Sequence, residues 1–467
     1  NRELIGWLAA CAVLACVLLW PVRYPTLTVA TQPHAEVPLR ITSDSPLEQQ
    51  LPGDQANLAG FAFWPVSGQS PVPLRLTVSD GGGVLHEQTE RIIDMETSRE
   101  GARVFLFNRQ RSRQASESLT VTLRVAVGDE LEIKRAQQSM VPDGVPMAFA
   151  QQHFASGPLW PTVLKLTTAH KTEGEDVWHH WRRGGDVAAG ENPYLCVPQG
   201  SCVDGKIPIH FPLFYWLSAA TRSIGLDGFG EWLGLWRPVF LGSYVAIGLL
   251  LAWPFIRRRW LAAGVAVLLF WLLNRWSLYV IRVSHIDFLA LLPLVASVVA
   301  WPKRQRLALV LFGISLALKQ VAIFLVPVYL ALVWQRGGTQ RIRRLLLAIL
   351  LIGLVPALTV LPFAADLDAF IEAVFFSATR SSQADFGAPS VDGILGLTGG
   401  ATRALMVGLM LLTAWSSWRK GLSLAAAGLL IFAIFITFNA VIFNQYFIWL
   451  LPFIPLAIAD YVRAERV

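Results

Sequence analysis

This chain is short of charge. Only 15% of its 467 residues are Asp, Glu, Lys or Arg, against 54% hydrophobic residues. With a mean hydropathy of +0.49, that balance excludes an ordinary soluble globular protein and describes a polytopic membrane protein with one water-soluble insertion. Cysteine is scarce too, four residues in all, and the Cys196/Cys202 spacing is not that of a zinc site, with no second pair nearby. Those two lie in a polar loop beside Pro198 and Gly200, where they close a short disulfide if that side of the membrane is oxidising. Cys11 and Cys16 fall in the first apolar run and read as packing residues. There is no glycine-rich loop of the kind that cradles nucleotide phosphates. Nor do paired Gly- or Pro-broken helices recur in corresponding halves, the usual mark of a repeat-built transporter.

The net charge of +7 does not imply a nucleic-acid partner, because the cations sit in short loops between apolar runs, where they orient the protein. Arg257–Arg259, then Lys303, Arg304 and Arg306, then Arg336, Arg341, Arg343 and Arg344, then Arg419 and Lys420, then Arg463 and Arg466 are each separated by enough apolar sequence for two spans. The positive-inside rule therefore places all five clusters in the cytoplasm and predicts about ten spans, at roughly 5–22, 236–256, 260–275, 284–301, 306–319, 321–335, 344–363, 401–418, 421–439 and 443–461. Both termini are then cytoplasmic. The first run is followed by Leu19-Trp-Pro-Val-Arg-Tyr24, which lacks the small residues of a signal-peptidase site, so it reads as a retained anchor.

Residues 1–23 are thus an anchor, 24–165 an extracytoplasmic domain, 166–235 an external loop with amphipathic juxtamembrane helices, and 236–467 a multi-span core. Within the second of these, Leu74-Arg-Leu-Thr-Val78 and Leu119-Thr-Val-Thr-Leu-Arg-Val125 alternate apolar with polar residues as half-buried strands do. Pro71, Pro73 and Gly81–Gly83 punctuate them as turns. Short strands without helical periodicity predict a small β-sandwich or jelly roll. Its aromatics Phe61, Phe63 and Trp64 serve either as core, the favoured reading, or as a sugar-binding platform.

Chemistry concentrates outside the membrane. Glu173-Gly-Glu-Asp-Val-Trp-His-His-Trp-Arg-Arg183 is followed by Gly190-Glu-Asn-Pro-Tyr194 and His210-Phe-Pro-Leu-Phe-Tyr-Trp216. The same topology puts Arg237, Arg275, Arg282, His285, Asp287, Lys319, Gln320, Arg380, Asp385, Asn439, Asn444, Gln445 and Tyr446 on that side. Ionisable groups cost about 2.5–3.5 kcal/mol each at a helix centre, so such a convergence points to a site. Arg237 and Arg275 read equally as snorkelling residues, and His285 with Asp287 equally as a structural pair. Lys319 is the sharpest candidate, standing between two apolar runs opposite the cytoplasmic clusters. Arg380 is drawn in by its company.

The order of these features resembles a known group. A single anchor, an early Asp in the external loop, Asn192-Pro-Tyr194, Pro212-Leu-Phe-Tyr-Trp216, His285-Ile-Asp-Phe-Leu-Ala-Leu-Leu-Pro293, Leu316-Ala-Leu-Lys319 and Asn444-Gln-Tyr-Phe-Ile-Trp-Leu-Leu-Pro452 are together similar to the GT-C superfamily of integral-membrane glycosyltransferases. The closest resemblance is to bacterial polyprenyl-phosphate-mannose-dependent (GT87-type) transferases, over about residues 170–460. Phe211-Pro212 stands where those proteins have Pro-Pro, and the β insertion separates the anchor from the Asp.

The resemblance implies an inverting transfer of mannose or another sugar from a polyprenyl-phosphate donor to an extracytoplasmic glycan, lipid or protein acceptor, at a bacterial inner membrane. Such a donor needs no nucleotide. Asp176 matches the family's acceptor base, with Glu175 and Glu173 as the fallback. Lys319 and Arg380 then contact the phosphate, where charge grows in the transition state. His285 and Asp287, with Gln445 and Tyr446 across the last turn, join the substrate site, and Trp178, Trp181 and Tyr194 offer rings for sugar stacking. No cofactor is required. Glu173, Glu175 and Asp176 offer oxygen ligands to a divalent metal, but nothing demands one. A flippase for lipid-linked sugars, or a non-catalytic subunit retaining the fold, are the alternatives.

Overall fold

The protein is described by a computed structural model covering all residues except 1, 20, 30–36, 52–57, 64, 66–71, 81–82, 92–95, 98–102, 107–118, 128, 136–146, 159–174, 203–206, 227–228, 284, 380–382, 385–390, 392–399, 420, 440 and 465–467. The chain divides into two compact units, one of Pro21–Gly157 with Lys165–Glu175 and one of Asn1–Trp20, Pro158–Leu164 and Asp176–Val467.

The first unit is built of strands: β1 (Pro21–Val29), β2 (Val37–Thr42), β3 (Leu47–Leu51), β4 (Leu58–Phe63), β5 (Pro73–Asp80), β6 (Gly83–Arg91), β7 (Glu96–Thr97), β8 (Arg103–Leu106), β9 (Leu119–Val125), β10 (Glu130–Arg135) and β11 (Met147–Pro158). They form sheets in the orders β1-β11-β4-β8-β7, β3-β9-β5-β6 and β10-β2. Both runs whose alternation predicted strands are strands, and they pair antiparallel with Leu76 opposite Leu123. Alternation then sorts the faces: Leu74, Leu76, Val78, Val121, Leu123 and Val125 turn into one core with Ile41, Leu131, Phe61, Phe63 and Phe105, contributed by all three sheets. Phe61 is 1% and Phe63 0% exposed, so these two rings are core and not a platform. Trp64 lies outside the described residues.

The second unit is helical: α1 (Arg2–Leu18), α2 (Glu175–Ala188), α3 (Leu213–Ser223), α4 (Phe229–Arg257), α5 (Leu261–Leu273), α6 (Arg275–Arg282), α7 (Asp287–Ala300), α8 (Gln305–Leu318), α9 (Val326–Gln335), α10 (Arg341–Val360), α11 (Leu367–Thr379), α12 (Gly400–Trp418), α13 (Leu424–Phe438), α14 (Phe447–Leu450) and α15 (Phe453–Ala464). Among the described residues, Glu231–Arg257 and Gly338–Phe376 are long and apolar enough to cross a bilayer, and α5 with α6 makes a third if that bent pair is one span. Shorter apolar helices include α7, α8 and α13. Helices of this length compare poorly with the bilayer, since 14 residues rise about 21 Å against a hydrocarbon core of about 30 Å. The apolar runs are instead interrupted by polar breaks.

Those breaks have local causes. Between α5 and α6 the axis turns by 53°, because Asn274 is extended and its side-chain Oδ1 accepts from Ser277 N at 2.8 Å, as a helix-initiating Asn does. Lys319 ends α8 in an extended conformation before a 3-10 turn, Gln320–Leu325. Pro327 then opens α9, where its missing N–H costs nothing. After α10 a second 3-10 turn, Leu361–Asp366, leads into α11. A two-residue strand β12 (Gln383–Ala384) pairs parallel with β13 (Val441–Ile442), ahead of a 3-10 turn, Asn444–Tyr446.

Candidate functional site

Asp176 lies in the first turn of α2, where the helix macrodipole favours a carboxylate. Further along the same helix Trp178, His179, His180, Trp181 and Arg183 are all buried. α2 closes on α3 through glycine, since a Cβ on Gly184 would stand 2.0 Å from Ser218 Oγ. Arg222 of α3 completes the contact, stacking 4.8 Å from the Trp181 ring and donating to Trp181 O at 3.3 Å. His180 packs against His210, Phe214 and Tyr215, with the two imidazole centroids 5.1 Å apart.

The loop after α2 is tied at several points. Cys196 and Cys202 form a disulfide, and Arg183 bridges Asp186 at 3.0 Å while donating to Cys196 Sγ at 3.4 Å. Asn192 accepts from Tyr194 N at 3.0 Å and donates to Asp366 Oδ2 at 3.1 Å. Tyr194 is 0% exposed, edge-on to Phe363 and Phe370, and its hydroxyl donates to His210 O at 2.7 Å. Burial pushes its phenol well above the ordinary range, helped by Tyr215 and opposed by Arg183.

His210 meets Gln320, two residues past the end of α8. Gln320 Nε2 donates to Ile209 O at 2.5 Å, which turns Oε1 toward His210 Nδ1 at 2.8 Å. An amide oxygen only accepts, so Nδ1 carries the hydrogen and the tautomer follows from the bracket.

Lys319, the residue before, makes the centre of a second cluster. Its ammonium lies 2.8 Å from both carboxylate oxygens of Asp287. Lys319 is 3% and Asp287 0% exposed. Trp449 Nε1 donates to Asp287 Oδ1 at 2.7 Å, and His285 Nδ1 stands 4.0 Å from Oδ2. Asp287 opens α7 and Lys319 closes α8, so each charge also sits at the helix end whose dipole favours it. A buried carboxylate held by an ammonium and an indole meets the condition for burying charge at all: it is paired and hydrogen-bonded.

Of the residues expected on the external side, the fold therefore joins His285, Asp287 and Lys319 directly. It connects Tyr194 to Gln320 through His210. Gln445 is buried in the turn before Trp449, and Tyr446 packs edge-on to Phe435. Trp178 is 1% exposed and packs edge-on to His179, so neither it nor Tyr194 shows a ring face to solvent. Arg237 is fully buried and so does not snorkel, whereas Arg275 lies 5.7 Å from the Trp276 ring. Arg380 and Glu173 lie outside the described residues, and nothing is described of the Asp176 side chain. Gln383, just beyond Arg380, pairs with Val441. Among the described residues no group of three metal-ligating side chains is gathered.

Four contributors went unpredicted: Trp449, His210, Asn192 and Asp366. Trp449 stood in the Asn444–Pro452 motif, but as one of 18 tryptophans in an apolar run it was not singled out. Asn192 and His210 stood in motifs, but without the partners that give them work.

Residues 398–464 match the family model described as Mannosyltransferase (PIG-M). No curated protein matches the chain. The matched stretch takes in α12 to α15 and so includes Trp449, Gln445 and Tyr446. With the apolar helices, it supports a membrane glycosyltransferase that uses a mannose donor.

Proposed function

We propose that this protein is a GT-C-type integral-membrane glycosyltransferase that moves mannose from a polyprenyl-phosphate donor to an extracytoplasmic glycan, lipid or protein acceptor, with inversion. The observation that carries this reading is that the segment similar to the mannosyltransferase family supplies Trp449 to the Asp287–Lys319 pair. The match thus bears on the polar cluster itself and not only on packing helices.

In this reading Asp176 accepts the proton of the acceptor hydroxyl as its oxygen attacks the anomeric carbon, and the donor C–O bond breaks to leave polyprenyl phosphate. Lys319 and Arg380 meet the phosphate as its charge grows. Lys319 comes to it from Asp287, and His285 is placed to take over that carboxylate. Gln445 and Tyr446 border the donor, while the buried Trp178 and Tyr194 serve the site as packing residues. About ten spans carry the site at the outer face of a bacterial inner membrane, with the strand unit outside as a sandwich.

The test is transfer of radiolabel from polyprenyl-phosphate mannose into membrane extract by purified protein. Wild type transfers label, and Asp176→Asn loses at least about a hundredfold. Equal rates in the two remove Asp176 from the role of base, and no transfer by wild type from mannose, glucose or arabinose donors favours the non-catalytic alternative.

A further inference from the structure

Away from the cluster around Lys319, the helical unit collects cations that, among the described residues, have no carboxylate partner. The sequence has no Asp or Glu from residue 288 to 365, nor from 393 to 459. Within those stretches lie Lys303, Arg304, Arg306, Arg336, Arg341, Arg343, Arg344 and Arg419, all of them exposed. The fold draws three separate loops together to present them. Arg336, after α9, lies 5.4 Å from the ring of Trp301, after α7. Gln335 donates to Trp418 O at 2.9 Å, which brings in the loop after α12. Gly338, at a φ of +53° that suits glycine, turns the chain so that Arg344 donates to Arg336 O at 2.8 Å.

Among the described residues none of these eight side chains forms an ion pair with a carboxylate. Arg341, Arg343 and Arg344 also fall in the first turn of α10, which has no acidic residue and whose dipole disfavours cations. Repulsion within this surface would be relieved by an anion from outside the chain. The tryptophans fix the level at which that anion is met. Arg341 lies 6.0 Å from the Trp334 ring and Arg419 5.8 Å from the Trp415 ring, and indoles of this kind sit at headgroup depth.

We propose that this surface is a binding site for anionic phospholipid headgroups, with Arg336, Arg341, Arg343 and Arg344 at its centre and Lys303, Arg304, Arg306 and Arg419 around it. The inference uses the membrane reading of the chain and does not depend on catalysis. Each cation near an anionic surface raises affinity about fivefold, so several acting together discriminate strongly against zwitterionic lipid.

The full chain is reconstituted in nanodiscs with equal amounts of dioleoylphosphatidylglycerol and dioleoylphosphatidylcholine, then extracted in mild detergent, and the lipids retained are counted by mass spectrometry. Wild type retains phosphatidylglycerol over phosphatidylcholine by about tenfold or more. Arg341→Gln/Arg343→Gln/Arg344→Gln falls to near parity, and raising salt erodes the wild-type preference. A wild type without preference, or a triple variant that keeps it, overturns the proposal. Should that variant not fold, Arg304→Gln/Arg306→Gln/Arg419→Gln loses preference at the same surface, and an unchanged ratio there overturns the proposal equally.

Discussion

Replacing Lys319 by Met keeps the length of the side chain and removes its charge, leaving Asp287 fully buried with the Trp449 indole as its hydrogen-bond donor and His285 at 4.0 Å. Breaking a buried pair in this way costs about 3–5 kcal/mol, whereas an exposed pair would give about 1 kcal/mol or less. The two contacts of 2.8 Å to one carboxylate put this pair in the first class. Because the penalty is the stranded carboxylate and not the absent ammonium, Asp287→Asn/Lys319→Met should recover most of it. Thermal unfolding of the detergent-purified chain, with all variants scanned at one rate, measures this. At about 1 °C per kcal/mol for a chain of this length, Lys319→Met lowers Tm by about 3–5 °C, and the double variant returns to within about 1 °C of wild type. A loss below about 2 °C for Lys319→Met, or a double variant no better than the single, would refute the assignment of a tightly coupled buried pair.

Other expectations are checked on the same purified protein. Trp449→Phe removes one hydrogen bond to a charged group and lowers stability by about 1.5–3 kcal/mol, read as a smaller Tm loss than for Lys319→Met. Cys196→Ser/Cys202→Ser opens a loop of sequence separation 6 and costs about 2–3 kcal/mol, while dithiothreitol reproduces the shift in wild type and leaves the variant unmoved. Tyr194 holds its proton more tightly folded than unfolded, since burial raises its pKa. The stability this gives is fully present below about pH 10, the unfolded value, and is lost as pH climbs from there toward the folded pKa. Tyr194→Phe should therefore lose about 1 kcal/mol at neutral pH yet show a shallower alkaline fall, and identical alkaline profiles would contradict the burial argument.

Legibility followed periodicity. The strands β5 and β9 were visible because one buried face imposes a period of two on the sequence, and Leu74, Leu76 and Val78 obey it. Apolar runs were equally plain. Their interruptions were read only in part: Lys319 and Gln320 marked a turn, but nothing marked Asn274 as a cap that bends α5 into α6. Neighbouring partners were legible, as in Cys196 with Cys202 and His285 with Asp287, but distant ones were not. Asp287 and Lys319 could be put on one side of the membrane, but their contact is 32 residues apart in the chain and depends on how α7 packs on α8. The bracket by which Gln320 holds Ile209 and His210 spans 111 and 110 residues and leaves no pattern in either segment.

The short parallel bridge between β12 and β13, together with Trp449, bears on how the protein is made. Synthesis and membrane insertion proceed from the N-terminus, so Asp287 and Lys319 enter the bilayer well before the residues that close over them. Until the ribosome has passed residue 449 the carboxylate lacks its indole, and until residue 442 the strand at Gln383 has no mate. A chain stalled or cleaved ahead of these last helices would carry the Asp287–Lys319 pair without its indole and Gln383–Ala384 without its mate.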